Sequence, residues 1–307
     1  MKASPEERGR NAGREPRAGR DARTAAQTPA ASEAPAAPER RLVVCVDDAA
    51  LDADVTRSVL TLAAAGRITA ASALVGSPHW PVHAAALATA PGIDLGLHLD
   101  LTEFCDPQPL PTLWLRAYAG LLDADSLRRR IDTQLERFVR HAGRLPDHID
   151  GHQHVQQLPG VREALLEAIE RHWAGRKERP WLRVGRRPAG MATAPKARVI
   201  EALGARRLAT LAVDRGCATN PALLGVYGFD ADAAAYMARL DGWLAGAPDG
   251  ALLMTHPAAG ADVTAHDPIA AARRVEHAVL GGKAFSALMS RHRLRLVRGS
   301  AVYRGDS

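Results

Sequence analysis

The side chains here that could do chemistry are imidazoles and carboxylates, and they are bunched. Three of the 12 histidines fall within seven residues, in His148-Ile-Asp-Gly-His-Gln-His154. His148, Asp150, His152 and His154 recur there at period two. In an extended strand all four would project to one face, with neighbours roughly 6.5 to 7 Å apart. A metal–imidazole bond is only about 2.0 to 2.1 Å long, so two such neighbours cannot ligate one ion unless the chain bends. Gly151 is the residue expected to supply that bend. One or two metal ligands are expected from the segment, with the others orienting ligands or touching substrate. A histidine-rich surface strand or turn is the competing reading. Asp47-Asp48 is the second concentration. Adjacent strand residues face opposite ways, so both carboxylates enter one site only if the strand ends there and the chain turns. Asp52 is read as the N-cap of the following helix, and Asp48 could serve the same end. His98 and His256 each close an apolar run, where a satisfied core histidine is the alternative.

These groups matter only if the fold gathers them. Strands are expected at Leu42–Val46, Ile68–Val75, Ile93–Leu99, His148–Val155, Trp181–Val184, Ala251–Thr255 and Leu294–Val297. Between them lie helical patterns, among them Pro81–Thr89, Ala124–His141, Val161–Trp173, Pro195–Val213, Asp232–Leu244 and Pro268–Leu280, while Pro107–Pro111 reads as a loop. This alternation implies βα units and a mainly parallel sheet. Seven or eight strands in one contiguous pattern favour an α/β fold of the closed or deformed (β/α) barrel type. An open doubly wound sheet is less favoured, because Asp47-Asp48-Ala49-Ala50 follows the first strand where a G-x-G-x-x-G turn would stand. In (β/α) barrels reactive groups collect at the C-terminal ends of strands. Asp47-Asp48, His98, His148–His154 and His256 stand at four such ends.

The chain has 307 residues and a formal charge of +6. Residues 1–40 hold eight basic and six acidic side chains and no aliphatic larger than Ala beyond Met1. Such a stretch cannot bury enough apolar surface to offset the entropy of ordering, so it reads as a disordered extension ahead of one domain over 41–307. The extension has no apolar core of the signal-peptide kind. No apolar run reaches the roughly 18 to 20 residues of a membrane span. Cys45, Cys105 and Cys217 form no CxxC pair, so neither a disulfide framework nor a cysteine zinc site is indicated, and a cytoplasmic setting is the default. Few aromatics interleave with the arginine clusters Arg128–Arg130 and Arg176–Arg187, which argues against nucleic acid. They read as solvated faces, with Arg183 or Arg186 available to an acidic substrate.

With these residues in hand, the chain resembles the YdjC-like carbohydrate deacetylases. The matching stretches are Leu42–Asp48, Arg67–Ser72, Gly96–Thr102, His148–Val155, Leu158–Val161, Thr219–Pro221 and Met254–Pro257, in family order across the whole of 41–307. The resemblance implies a deformed TIM-like barrel and metal-dependent removal of an N-acetyl group from an acetylated amino sugar, of the chito-oligosaccharide or glycolipid-linked N-acetylglucosamine type. By position it makes Asp48, His98 and His152 the metal ligands, Asp47 the general base and His256 the general acid, acting as an imidazolium. Asp150, His154 and His148 are left to orient ligands or contact sugar. One divalent metal is implied; the family suggests Mg, whereas two imidazoles and a carboxylate suit Zn, Co, Mn or Ni better. A homodimer is compatible with the resemblance. Two departures concern the pocket: Ala49-Ala50 stands where the family often has Phe-Gly or Tyr-Gly, and Gly76-Ser77 where many members have Asn-Gly. Another metal hydrolase or isomerase on the same barrel, or an inactive sugar-binding homologue, are the alternatives.

Overall fold

The computed structural model describes residues 38–260 and 267–304. The extension expected over residues 1–40 lies outside them except for its last three residues, of which Arg40 already opens the first strand. Eight strands are described: β1 (Arg40–Ala49), β2 (Ala70–Ala73), β3 (Asp94–Leu99), β4 (His148–Gly151), β5 (Trp181–Leu182), β6 (Leu223–Leu224), β7 (Ala251–Thr255) and β8 (Leu294–Leu296). All pair in parallel, in the order β5-β4-β3-β2-β1-β7-β6, with β8 paired to the start of β1. At the two ends of this path, an isolated bridge from Leu182 of β5 to Thr219 and a bond from the Leu223 amide of β6 to the Arg186 carbonyl at 2.7 Å are found among the described residues. The result is a curled, deformed TIM-like barrel of the α/β class.

The helices are α1 (Ala53–Ala64), α2 (Trp80–Ala88), α3 (Leu110–Tyr118), α4 (Ala124–Ala142), α5 (Val161–His172), α6 (Pro195–Ala202), α7 (Ala205–Asp214), α8 (Ala233–Ala245), α9 (Ala270–Gly281), α10 (Lys283–Arg291) and α11 (Gly299–Tyr303). Two expectations change. The single helix expected over Pro195–Val213 is broken at Gly204, whose φ of 116° only glycine adopts without strain. The proline-spaced loop is shorter than expected, because α3 begins at Leu110 with Pro111 in its first turn, where a missing N–H costs nothing.

Side-chain parity explains where chemistry can sit. Leu42, Val44 and Val46 of β1 join the large core with the helices, whereas Val43 and Cys45 join a second cluster with Ala70, Trp181, Leu223, Leu252 and Met254 inside the sheet's curl. The same alternation sends Leu95, Leu97 and Leu99 of β3 and Ile149 of β4 outward. Gly96, His98, His148 and Asp150 are thereby left to the inner face. Small residues make room there: a Cβ on Gly96 would run into the His148 ring.

Candidate active site at the strand ends

Asp47 continues the inward series of Val43 and Cys45, but Asp48 by strict alternation would point away. Two local features turn it back. Asp48 adopts a left-handed backbone with φ of 61°, and the β1–β2 register slips between Val46 and Ala49. A bulge of this kind re-aims a side chain at a strand end. Both carboxylates therefore face one site, although β1 does not stop at Val46 as expected. Asp52, not Asp48, caps α1, accepting from the Val55 amide at 2.7 Å.

The histidine segment also bends, but not where expected. Gly151 is extended, and the turn is made by Gln153 and His154, both left-handed, in the 3-10 segment that follows β4. Gly151 is small for another reason: a Cβ there would lie 2.6 Å from Gln156 Oε1. The bend takes His152 out of the period-two row and brings its Nδ1 to 3.1 Å from Asp48 Oδ1. From β3, His98 brings its Nε2 to 3.4 Å from the same oxygen. The other ring nitrogen of His98 is bonded to Asp150 Oδ1 at 2.7 Å, which fixes the ring and leaves Nε2 free to ligate.

The three ligand atoms of Asp48, His98 and His152 lie within 4.8 Å of one another. Donors each about 2.1 Å from one ion stand about 3.0 to 3.4 Å apart at right-angle to tetrahedral geometry, so the separations of 3.1 and 3.4 Å fit a first-row divalent metal. Charge balance favours a cation as well. Asp47, Asp48 and Asp150 are buried together against two buried guanidiniums, Arg183 and Arg273. Burial alone would lower the His98 pKa, but Asp150 and Asp47 raise it to about 10, so the imidazole holds a proton that a metal would displace. Burial also works against ionised Asp48, yet Arg273 and the two histidines hold its carboxyl well below the usual range. A neighbouring group, Cys45 with His148 and Asp150, suits a metal less well, because burial pushes the Cys45 thiol well up and keeps it protonated.

Asp47 lies in a forked pair with Arg183, and its Oδ2 is 3.7 Å from His256 Nε2 and 3.9 Å from His98 Nε2. His256 follows β7; its ring packs edge-on against Phe229, and its Nδ1 has no partner among the described residues. Burial pushes its pKa down to about 4 against the pull of Asp47 and Asp48. The imidazolium expected at this position is thus a neutral imidazole at rest.

Not every expected residue meets the site. His148 and Asp150 are fully buried, which removes the sugar-contact reading for both. Asp150 supports His98, while His148 stacks on Trp181 at 4.1 Å and bonds Ser72 Oγ at 2.9 Å, beneath Asp150. His154 is buried with its Nδ1 unpartnered among the described residues, and burial together with Arg183 holds its pKa well below the ordinary value. Arg183 is fully buried between Asp47 and Asp150, so it is not available to an acidic substrate; Arg186 lines a separate 530 Å³ cavity with Arg187, Glu201 and Arg206. Sequence reasoning missed Arg273 and Glu276 on α9. Glu276 accepts from the His256 amide at 2.5 Å and the Tyr227 hydroxyl at 2.6 Å, and burial raises its pKa to about 7. The available signal was helical phase: both sit among Ala272, Val279 and Leu280 on the buried side of α9.

A family model described as YdjC-like protein matches residues 41–291. The chain belongs to the YdjC-like family. Its curated relatives include a chitooligosaccharide deacetylase of Serratia marcescens, 34% identical over 143 residues, or 43% of this chain and 56% of that protein. A carbohydrate deacetylase of Homo sapiens is 33% identical over 150 residues, covering 43% of this chain and 46% of the relative. The chain thus spans about half the length of the curated relatives it matches. Among solved structures, a proposed cellobiose-phosphate cleavage protein from Enterococcus faecalis V583 superposes with a TM-score of 0.64 at 18% identity, covering 86% of this chain and 99% of that one. At that identity the likeness concerns the fold alone, the curled parallel sheet with its helices, and not the chemistry.

Proposed function

We propose that this YdjC-like chain hydrolyses the N-acetyl group of an acetylated amino sugar, of the chito-oligosaccharide or glycolipid-linked N-acetylglucosamine type, releasing acetate. The observation that carries the reading is the meeting of Asp48, His98 and His152 around one point with Asp47 and His256 beside them. In this reading Asp48 Oδ1, His98 Nε2 and His152 Nδ1 hold one divalent metal, with Zn, Co, Mn or Ni suited by the donor set and Mg by the family. Such an ion supplies Lewis-acid polarisation of the acetyl carbonyl and acidifies water at the site.

The chain's own residues do the rest. Asp47 takes a proton from the attacking water at Oδ2, the oxygen that faces His256 and His98, while Arg183 fixes the carboxylate plane from behind. His256 starts neutral, so its Nε2 receives the proton that Asp47 Oδ2, 3.7 Å away, has removed from the water, and passes it to the departing amine, which leaves poorly unless protonated. Asp150 keeps the His98 ring in orientation through Nδ1. Residues 41–307 are proposed to contain the whole catalytic unit, so removing the segment ahead of them should leave turnover intact.

The test is acetate release from N-acetylglucosamine oligomers and acetylated glycolipids by stripped protein given Zn, Mg, Co, Mn or Ni. No acetate with any ion, despite sugar binding, would favour an inactive sugar-binding role. A different turnover without acetate would favour another metal-dependent sugar hydrolase or isomerase.

A further inference from the structure

We propose that Arg273 confines Asp48 to ligation through one oxygen, and so keeps a coordination position clear for water or substrate. The inference rests on the metal-holding role assigned to Asp48 above. It starts from an asymmetry in that carboxylate. Oδ1 faces His152 and His98, whereas Oδ2 is taken by Arg273 Nη2 at 2.7 Å. A carboxylate can bind a cation through one oxygen or both. Here the second oxygen is engaged by a buried cation, and freeing it would take from that guanidinium one of its two carboxylate partners, a costly loss in a desolvated site.

Arg273 is itself held on every side. Nε donates to Asp267 Oδ2 at 2.5 Å, and Nη1 lies 3.5 Å from the His256 carbonyl oxygen. The Arg273 carbonyl accepts from the Ala258 amide at 3.1 Å, and its side chain is only 4% exposed. One turn further along α9, Glu276 accepts from the His256 amide. The helix thus grips the turn after β7 and, through the same guanidinium, the bulged end of β1. Arg273 acts through Asp48 and touches no reacting atom, so it is a positioning residue.

The test loads stripped wild type, Arg273→Met and Arg273→Lys with Mn²⁺, read by water-proton relaxation, and with Co²⁺, read by visible absorption. In Arg273→Met the Asp48 carboxylate should close on the ion with both oxygens, lowering the count of metal-bound waters by about one and moving the cobalt bands. Arg273→Lys keeps the charge but replaces the fork by a single ammonium that must serve both Asp48 and Asp267, so it should move the same way by less. If Arg273→Met does not fold, the lysine variant carries the reading. Wild-type relaxation and cobalt bands in a fully loaded, folded variant would overturn the proposal, even if its melting temperature fell. So would a wild type that takes up neither ion. Because the readout is coordination, a wild type that binds metal but releases no acetate refutes the deacetylase reading and leaves this one standing.

Discussion

Arg183 and Asp47 meet in a two-bond fork shut away from solvent, with Arg183 Nη2 donating to Asp47 Oδ2 at 2.8 Å and Nη1 donating to Oδ1. The same Nη1 lies 3.2 Å from Asp150 Oδ2, so one guanidinium sets the spacing of the proposed base and of the carboxylate behind His98. Asp47→Asn keeps the shape but cannot accept a proton. Acetate release should fall by about 10²- to 10⁴-fold while metal content stays at the wild-type level. Wild-type turnover in this variant would dismiss Asp47 as the base. Arg183→Met, which leaves the buried Asp47 carboxylate without its guanidinium, should cost about 3 to 5 kcal/mol in urea unfolding.

Metal affinity separates the histidines. His98→Ala and His152→Ala each remove a proposed ligand and should lower occupancy after dialysis against limiting metal. Asp150→Asn, acting on the metal through His98, should weaken it by about 10- to 100-fold. His154→Ala should leave occupancy unchanged. Full occupancy in both ligand variants, or loss in His154→Ala, would show that the ligand set is wrong.

The depressed pKa of His256, about 4, has a sign that kinetics can read. If the residue had to begin as an imidazolium, kcat/KM at saturating metal would decay as pH rises above about 4. Starting neutral, it should support a flat profile between pH 6 and 8. A steady tenfold loss per pH unit across that interval would restore the imidazolium.

Glu276 predicts a stability slope of the opposite kind to that of an ion-paired acid. Its proton leaves near 7 in the folded protein against an ordinary value of 4.5. Between those values the folded state holds a proton that the unfolded chain has released, so stability is fullest below about 4.5 and declines as pH rises to 7. The ceiling on this loss is about 3 kcal/mol. Glu276→Gln removes the titration, so its melting temperature relative to wild type should climb between pH 5 and pH 7.5. A constant gap would mean that Glu276 is already ionised at pH 5.

Much of this arrangement was legible because strand ends are short and parity is strict. Leu42–Val46, Ile93–Leu99 and Ala251–Thr255 declare themselves as buried runs, and the polar residues that close them then have to meet. The Asp48 bulge was not legible, since nothing in Asp47-Asp48-Ala49-Ala50 distinguishes a left-handed aspartate from a strand that simply stops. The bend at Gln153 and His154 was hidden likewise, because glycine was the residue local chemistry favoured for it. Arg273 and Glu276 look like any solvated helix charges until α9 is docked. Their meaning depends on a contact 225 residues back along the chain, from Arg273 to Asp48.

The slip in β1 also bears on how this chain can change over generations. A strand keeps its faces only by counting, and a shift of one residue exchanges inside for outside. Here the count is already broken once, between Val46 and Ala49, and the site uses that break. Deleting Ala49 or Ala50, or inserting a single residue beside them, would rotate one aspartate away from His98 and His152. Point replacements that keep the count leave the register as it is. A change in the length of this stretch is therefore expected to be harder to accommodate than a change of side chain.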